Sequence, residues 1–415
     1  MSRILVSAYA CEPGKGSEPG VGWNWVCQIA RFNEAWVVTR ANNRRAIESA
    51  LIRDPQPNLH WIYFDLPRWL SFWKKGIRGI QLYYLLWQIA IYFVARGLHR
   101  KVDFELVHHI TFVNYWMPSF LVMLSVPFLL GPVGGGESAP PAFWWSFSLR
   151  GKVYETLRDL RRDLAHLDPF VRLAARRAVV ALATTSQTGE KLRRLGCRNV
   201  SVISQVGVDL DEIRRRPTST GRSGCLFRVV SVGRLLHWKG FEIGVRAFAL
   251  LKAQFPASEY WLIGDGPERK RLEKLTRSLG LGDSVRFLGS MPRPLVLEKL
   301  AACHALLNPS LHDSGSFVCA EAMAAGLPVI CLDLGGPSIH VTKETGIKIP
   351  AISPGQVILE LAQAMRRLAR DPGYRQQLGK AGRKRVGDFF AWEEKGDFIA
   401  RLYGSILSDN CRHVC

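Results

Sequence analysis

Short, apolar, β-branched runs alternate with longer helical patterns along the whole 415-residue chain, and this alternation restricts the fold more than any other feature. Residues 4–7, 35–39, 61–64, 106–109, 128–130, 181–184 and 200–203 read as one series of strands. Residues 227–232, 260–263, 285–287, 305–308 and 329–331 form a second series. Strands that are apolar throughout and separated by helices belong to parallel sheets, because each crossover lays a helix on a sheet face. Two series give two doubly wound α/β domains, a number the chain length allows. The expected division is a first domain at 1–208, a linker at 209–224 and a second domain at 225–387. A helix within 388–415, anchored by Trp392, Ile399, Leu402 and Tyr403, is expected to pack back on the first domain. The linker choice rests on a run of arginines, Pro217 and Thr218-Ser219-Thr220-Gly221, where charge and turn residues replace apolar periodicity.

Composition narrows the class. Hydrophobic residues at 47% and charged residues at 22% exclude a mainly disordered chain. Lysine and arginine number 56 against 35 acidic residues, a net +21 that predicts attraction to something anionic: nucleic acid, a phosphorylated ligand or an acidic membrane face. The nine cysteines are scattered and form no CxxC pair, which points to free thiols in a reducing compartment and against a disulfide framework or a zinc site. The opening residues read as a strand and not as a secretion signal, so a cytoplasmic location is expected.

Residues 79–95 depart from the pattern, being uncharged and rich in aromatics between Lys74, Lys75 and Arg78 on one side and Arg96, Arg100 and Lys101 on the other. A spanning helix needs about 20 apolar residues. Spanning would also place the strands at 61 and 106 on opposite sides of a membrane and split one sheet. The segment is therefore expected to be a helix packed on the sheet or partly immersed in an interface, and its basic flanks favour contact with anionic lipid, peripheral on an inner membrane face.

Three motifs carry chemistry. After the first strand, Gly14, Gly16, Gly20 and Gly22 lie between strand and helix, a loop that either turns tightly or brings backbone amides, at Gly16 and Gly20, close to an anion. No P-loop occurs, and Asp209-Leu210-Asp211 reads as solvated charge. In the second series, Gly233-Arg234 ends a strand and Lys239-Gly240 follows. Cations at the carboxyl end of a parallel strand sit where open α/β sheets bind ligands, and an arginine with a lysine suits a diphosphate. Further on, Asp313-Ser314-Gly315-Ser316-Phe317 opens a helix that carries Glu321. The turn's amides can cradle a phosphate, and a glutamate inside the helix can accept both hydroxyls of a ribose.

Taken together, Gly233-Arg234 with Lys239-Gly240, Leu262-Ile263-Gly264-Asp265-Gly266-Pro267, Val285-Arg286-Phe287-Leu288-Gly289 and Glu321-Ala322-Met323-Ala324-Ala325-Gly326-Leu327-Pro328-Val329 resemble glycosyltransferase family four, most closely over residues 227–345. The resemblance implies a GT-B fold, two Rossmann-like domains facing a cleft, and retaining transfer from a nucleotide-diphosphate sugar. It implies that Arg234 and Lys239 hold the donor diphosphate, that Glu321 binds the ribose, and that Gly233, Gly264, Ser314, Gly315, Ser316 and Phe317 line the donor. Asp313 takes the place of the first glutamate of the family's E-x7-E motif, one methylene shorter. His109, or else His108, matches the histidine that faces the transferred sugar, and His108, Gly134 and Gly135 lie on the acceptor side. The resemblance implies no cofactor and no metal, since two cations neutralise the leaving group. The expected partners are a nucleotide-sugar donor, a lipid-linked or envelope glycan and an anionic membrane surface, with no nucleic acid. A sugar-nucleotide epimerase on the same fold, a pyridoxal-dependent phosphorylase and a basic nucleic-acid-binding protein are the competing readings.

Overall fold

The computed structural model describes residues 1–74, 76, 79–112, 114–211 and 226–412. The expected linker at 209–224 lies outside the described residues except for 209–211. Thirteen strands lie among the described residues: β1 Arg3–Ala8, β2 Glu34–Thr39, β3 Leu59–Tyr63, β4 Leu106–Thr111, β5 Phe128–Val133, β6 Ala178–Ala183, β7 Val200–Val202, β8 Phe227–Val232, β9 Ser258–Ile263, β10 Val285–Gly289, β11 Ala305–Asn308, β12 Val329–Leu332 and β13 Gly346–Ile349. They form two sheets, ordered β3-β2-β1-β4-β5-β6-β7 and β10-β9-β8-β11-β12-β13. The strand pairs of both sheets are parallel. The α/β class and the doubly wound architecture expected from the alternation are thus what the chain adopts.

In each sheet the strand order reverses once, between β1 and β4 in the first and between β8 and β11 in the second. Loops leaving such neighbouring strands run in opposite directions and leave a crevice at the carboxyl ends. Strands β4 and β5 are buried along their whole length, as are β11 and β12. The loops that follow them therefore start from fixed points. Helices complete each layer by local rules. The helix Pro354–Arg370, for example, opens with proline in its first turn and a reciprocal Ser353–Gln356 capping box. It buries Val357, Leu361, Met365 and Leu368 in one core with Phe248, Leu251 and Leu307.

The chain divides into two compact units, one of residues 1–136, 160–207 and 392–415, the other of 137–159 and 208–391. The expected boundaries need correction in two places. Residues 137–159, assigned to the first domain, group with the second unit, because Glu155 and Ser148 bond to residues there. The final helix belongs to the first unit from Trp392 and not from 388, since residues up to Ala391 stay with the second. Trp392 sets its ring edge-on to Trp25 and covers Gly207, where a Cβ would lie 2.3 Å from the indole.

The uncharged segment forms the helix Ile80–Val102. It buries Tyr83, Tyr84, Trp87, Gln88, Ile91 and Ala95 and exposes Leu82, Ile89 and Phe93. Among the described residues no helix is long and apolar enough to cross a membrane. The cysteines at 11, 27, 197, 303, 319 and 331 are free thiols.

Candidate functional site

In the second unit the predicted donor residues collect at the carboxyl ends of β8, β9 and β11. Gly233 and Gly264, which follow β8 and β9, touch through their backbones: a Cβ on Gly264 would fall 2.0 Å from the Gly233 carbonyl oxygen. Both have φ values that side chains rarely adopt, +154° and +133°. A Cβ on Gly233 would lie 3.9 Å from Cε of Lys239, so the lysine stem runs past the end of β8. Arg234 is exposed and takes part in no ion pair among the described residues.

Lys239 Nζ donates to Asp313 Oδ2. The other oxygen, Oδ1, accepts from the amides of Gly315 and Ser316, each at 3.3 Å. Burial works against ionisation of Asp313, but the Lys239 ammonium and the Ser316 amide outweigh it and hold the carboxyl down at about 2. Ser316 precedes the helix Phe317–Ala324 with φ +44°, a left-handed conformation costly for a residue with a side chain, and its hydroxyl accepts from Asn308 Nδ2 at 3.2 Å. Ser314 and Phe317 are half-buried at the same turn. Lys239, Asp313 and the amides of Gly315 and Ser316 therefore converge, as the motif spacing led one to expect, but as a closed ion pair instead of separate groups. Glu321, one turn further along the helix, accepts from Arg293 Nε at 2.6 Å.

Sequence reading missed several supports. Gly335 and Gly336 press on the turn from behind. A Cβ on Gly335 would come 2.4 Å from the Asp313 carbonyl oxygen, which also accepts the Gly336 amide at 2.7 Å. Their Gly-Gly pair after a strand was the available clue. Arg293 had none, as an arginine in a basic protein.

The first unit places its candidates at its own sheet edge. Gly16 is exposed and precedes the helix Ser17–Ala30, whereas Gly20 is buried with no room for a Cβ, 2.0 Å from the Lys15 carbonyl oxygen. Gly20 thus serves the tight fold of the loop, while Gly16 presents backbone. His109, near the end of β4, lies 3.2 Å through Nε2 from Tyr84 Oη, and burial pushes its imidazole down to about 4, so it is neutral at physiological pH. His108 points to the opposite face. Its Nδ1 meets Tyr403 Oη at 2.7 Å and its Nε2 the Gly131 carbonyl oxygen at 2.5 Å, fully buried, and burial lowers it to about 3. Both ring nitrogens of His108 are committed to the scaffold, which removes it from the acceptor side. Gly134 is buried and its carbonyl accepts the Tyr115 amide; Gly135, with φ +89°, lies against the Trp116 ring. Among the described residues no cluster of three or more His, Cys, Asp or Glu side chains could hold a metal ion.

Comparison with known proteins gives the family. The family described as glycosyl transferases group 1 matches residues 219–385. The 2-deoxystreptamine glucosyltransferase of Streptomyces kanamyceticus is 32% identical over 291 residues, which cover 67% of this chain and 74% of that protein. The lipopolysaccharide core biosynthesis glycosyltransferase LpsD of Rhizobium meliloti is 34% identical over 226 residues, covering 53% and 62%. Among solved structures, Anabaena HepE in complex with UDP and glucose superposes with a TM-score of 0.64 at 20% identity, covering 98% of this chain and all of that one. With two parallel-sheet units and a relative matched over most of its length, the chain belongs to the glycosyl transferases group 1, of the family-four kind with the GT-B fold.

Proposed function

We propose that the protein moves a sugar from a nucleoside-diphosphate sugar to a lipid-linked or envelope glycan, with retention at the anomeric carbon. The observation that carries this reading is the Lys239–Asp313 pair set on the amides of Gly315 and Ser316, with the exposed Arg234 at the carboxyl end of β8. Glycosyl transfer demands that negative charge building on the departing diphosphate be met as positive charge builds on the sugar. A guanidinium, an ammonium and oriented amides meet it once the diphosphate takes the place of the Asp313 carboxylate on the Lys239 ammonium. A leaving group that departs as a bound anion needs no strong general acid, unlike the two-carboxylate arrangement of glycosidases. The same cations supply the neutralisation, so the reading requires no metal.

Glu321 is the candidate for the donor ribose, with Arg293 orienting its carboxylate. His109 is the first unit's candidate for a sugar contact. The donor base is uridine in this reading, supported by the UDP and glucose bound in Anabaena HepE. An envelope glycan as acceptor is supported by the lipopolysaccharide assignment of the Rhizobium relative. Membrane contact is supported by Leu82, Ile89 and Phe93, exposed on a helix whose last turn carries His99, Arg100 and Lys101.

Anomerically labelled UDP-sugars incubated with the protein and a membrane extract test the reading, with the product configuration read by NMR. An α-linked product from an α-linked donor is expected. An inverted product, or an epimerised donor formed without any acceptor, contradicts it.

A further inference from the structure

The loops that carry Lys239 and Asp313 meet a third segment. Glu155, on the helix Leu149–Ala165, is 1% exposed, and its Oε1 lies 2.9 Å from His237 Nε2 and 3.0 Å from His312 Nε2. Its Oε2 accepts from Arg158 Nη1 at 3.3 Å. His237 stands two residues before Lys239, and His312 directly before Asp313. One buried carboxylate oxygen thus accepts a hydrogen bond from each of the two loops that hold the ion pair.

The surroundings leave these groups little freedom. Trp238 is stacked between Tyr154 at 5.2 Å and His312 at 5.2 Å, with interplanar angles of 13° and 16°. Phe147 and Trp238 meet the His237 ring edge-on at 4.9 and 4.7 Å. Gly151 lies beneath that ring, where a Cβ would sit 2.9 Å from Cγ. The Leu311 amide donates to the Trp238 carbonyl at 2.8 Å, and Gly240 abuts the Pro309 carbonyl oxygen, so the two loops are also joined directly. These contacts bring the loops together, but Glu155 is the charged group that fixes both at the residues next to Lys239 and Asp313.

We propose that Glu155 is a positioning residue for the diphosphate site: by accepting hydrogen bonds from His237 and His312 it sets the separation of Lys239 from the 313–316 turn. The proposal rests on the donor reading given above. The electrostatics agree with the geometry. Burial disfavours the Glu155 carboxylate, but the bonds from His237 and His312 and the Arg158 guanidinium hold it well below the usual carboxylate range. Burial lowers His312, against the pull of Glu155, so its imidazole is neutral at physiological pH and donates through Nε2. Arg158 and Glu137 are the other charged groups facing this pair. Glu155 is buried and engaged by His237, His312 and Arg158, so its loss acts through the loops that its partners hold.

The experiment measures UDP affinity by calorimetry at 10 °C, below thermal unfolding, for the wild type and for Glu155→Ala, Glu155→Gln, His312→Leu and His312→Gln. Misplacing a charged contact by a fraction of its reach weakens binding by about tenfold or more, the loss expected of E155A and H312L. In E155Q the Oε1 acceptor remains, and in H312Q an amide nitrogen can stand where Nε2 stood. These variants are expected to recover most of the affinity, within about threefold of the wild type. A merely structural role would lower Tm without moving the affinity of folded protein. Wild-type affinity in folded E155A or H312L overturns the proposal. If E155A does not fold, H312L against H312Q decides in the same way. Failure of the wild type to bind UDP, GDP or ADP instead defeats the donor reading, a result distinct from equal binding by wild type and variants.

Discussion

Lys239 shows how one side chain can be committed twice. In the structure its ammonium pairs with Asp313, and on the proposed reading the same ammonium must meet a diphosphate. A diphosphate carries more charge than one carboxylate and competes well for the lysine. Removing the carboxylate therefore removes a competitor, whereas removing the ammonium removes the contact. Asp313→Asn is expected to hold diphosphate affinity within a few-fold of the wild type, while Lys239→Ala loses about 2 kcal/mol or more, both read by calorimetry. Asp313 also contributes to stability. Its carboxyl is held at about 2, below the ordinary 3.8, so the contribution is present above pH 4 and lost as pH falls toward 2. D313N should flatten that acid limb.

Lys395 has the opposite sign. Buried and donating to the Ser204 carbonyl at 2.7 Å, it is pushed by burial from 10.5 down to about 7. The folded state penalises its charged form, so stability should rise as pH climbs from 7 toward 10. Lys395→Met should remove that slope in urea unfolding and be at least as stable as wild type at pH 7. A slope unchanged in K395M would show that another group is responsible. Such pairings are where sequence reading reaches its limit. Arg234, Lys239, Asp313 and Glu321 could be found because each follows a strand at fixed spacing. That Lys239 meets Asp313, 74 residues away, could not be read from either segment. Neighbouring strand residues point to opposite faces, so His108 and His109 were bound to differ. Which face would be covered depended on Tyr403, 295 residues further on.

At the scale of elements, the strand series was legible because buried parallel strands are unbroken apolar runs. The strand Gly346–Ile349 escaped it, as a four-residue edge strand carrying Lys348 in its middle. Connections were harder to read. Gly240 sits at φ +66° at the start of the helix Phe241–Gln254, where a Cβ would come 2.0 Å from the Pro309 carbonyl oxygen. The loop after β8 can approach the loop after β11 only because that Cβ is missing. Gly240→Ala is expected to cost about 2–3 kcal/mol in chemical denaturation, from the positive φ and the clash together. It should also weaken diphosphate binding. A variant of native stability would mean that the loops part without penalty.

For the molecule as a whole, the chain visits each unit more than once, at 137–159 and again from 392. The return from 392 was legible in the apolar anchors of the last helix, whereas 137–159 looks like an ordinary connection and gave no sign of its placement. Net charge was legible, but its purpose was not: +21 serves phosphates and lipid headgroups alike. If the surface charge and the exposed Leu82, Ile89 and Phe93 act together at a membrane, co-sedimentation with phosphatidylglycerol vesicles should exceed that with phosphatidylcholine. Added salt should reduce it, and Phe93→Ser should reduce it further. Equal, salt-insensitive binding to both vesicle types would assign the charge elsewhere.

On the proposed reading Arg234, Lys239 and the 314–317 turn form a metal-independent diphosphate site. Titration of UDP into wild type and Arg234→Ala by calorimetry, in buffer containing EDTA, tests it most directly. Saturable one-to-one binding by the wild type is expected, with at least a tenfold loss in R234A with its fold intact. Binding that vanishes with EDTA, or that R234A retains at wild-type affinity, would contradict it.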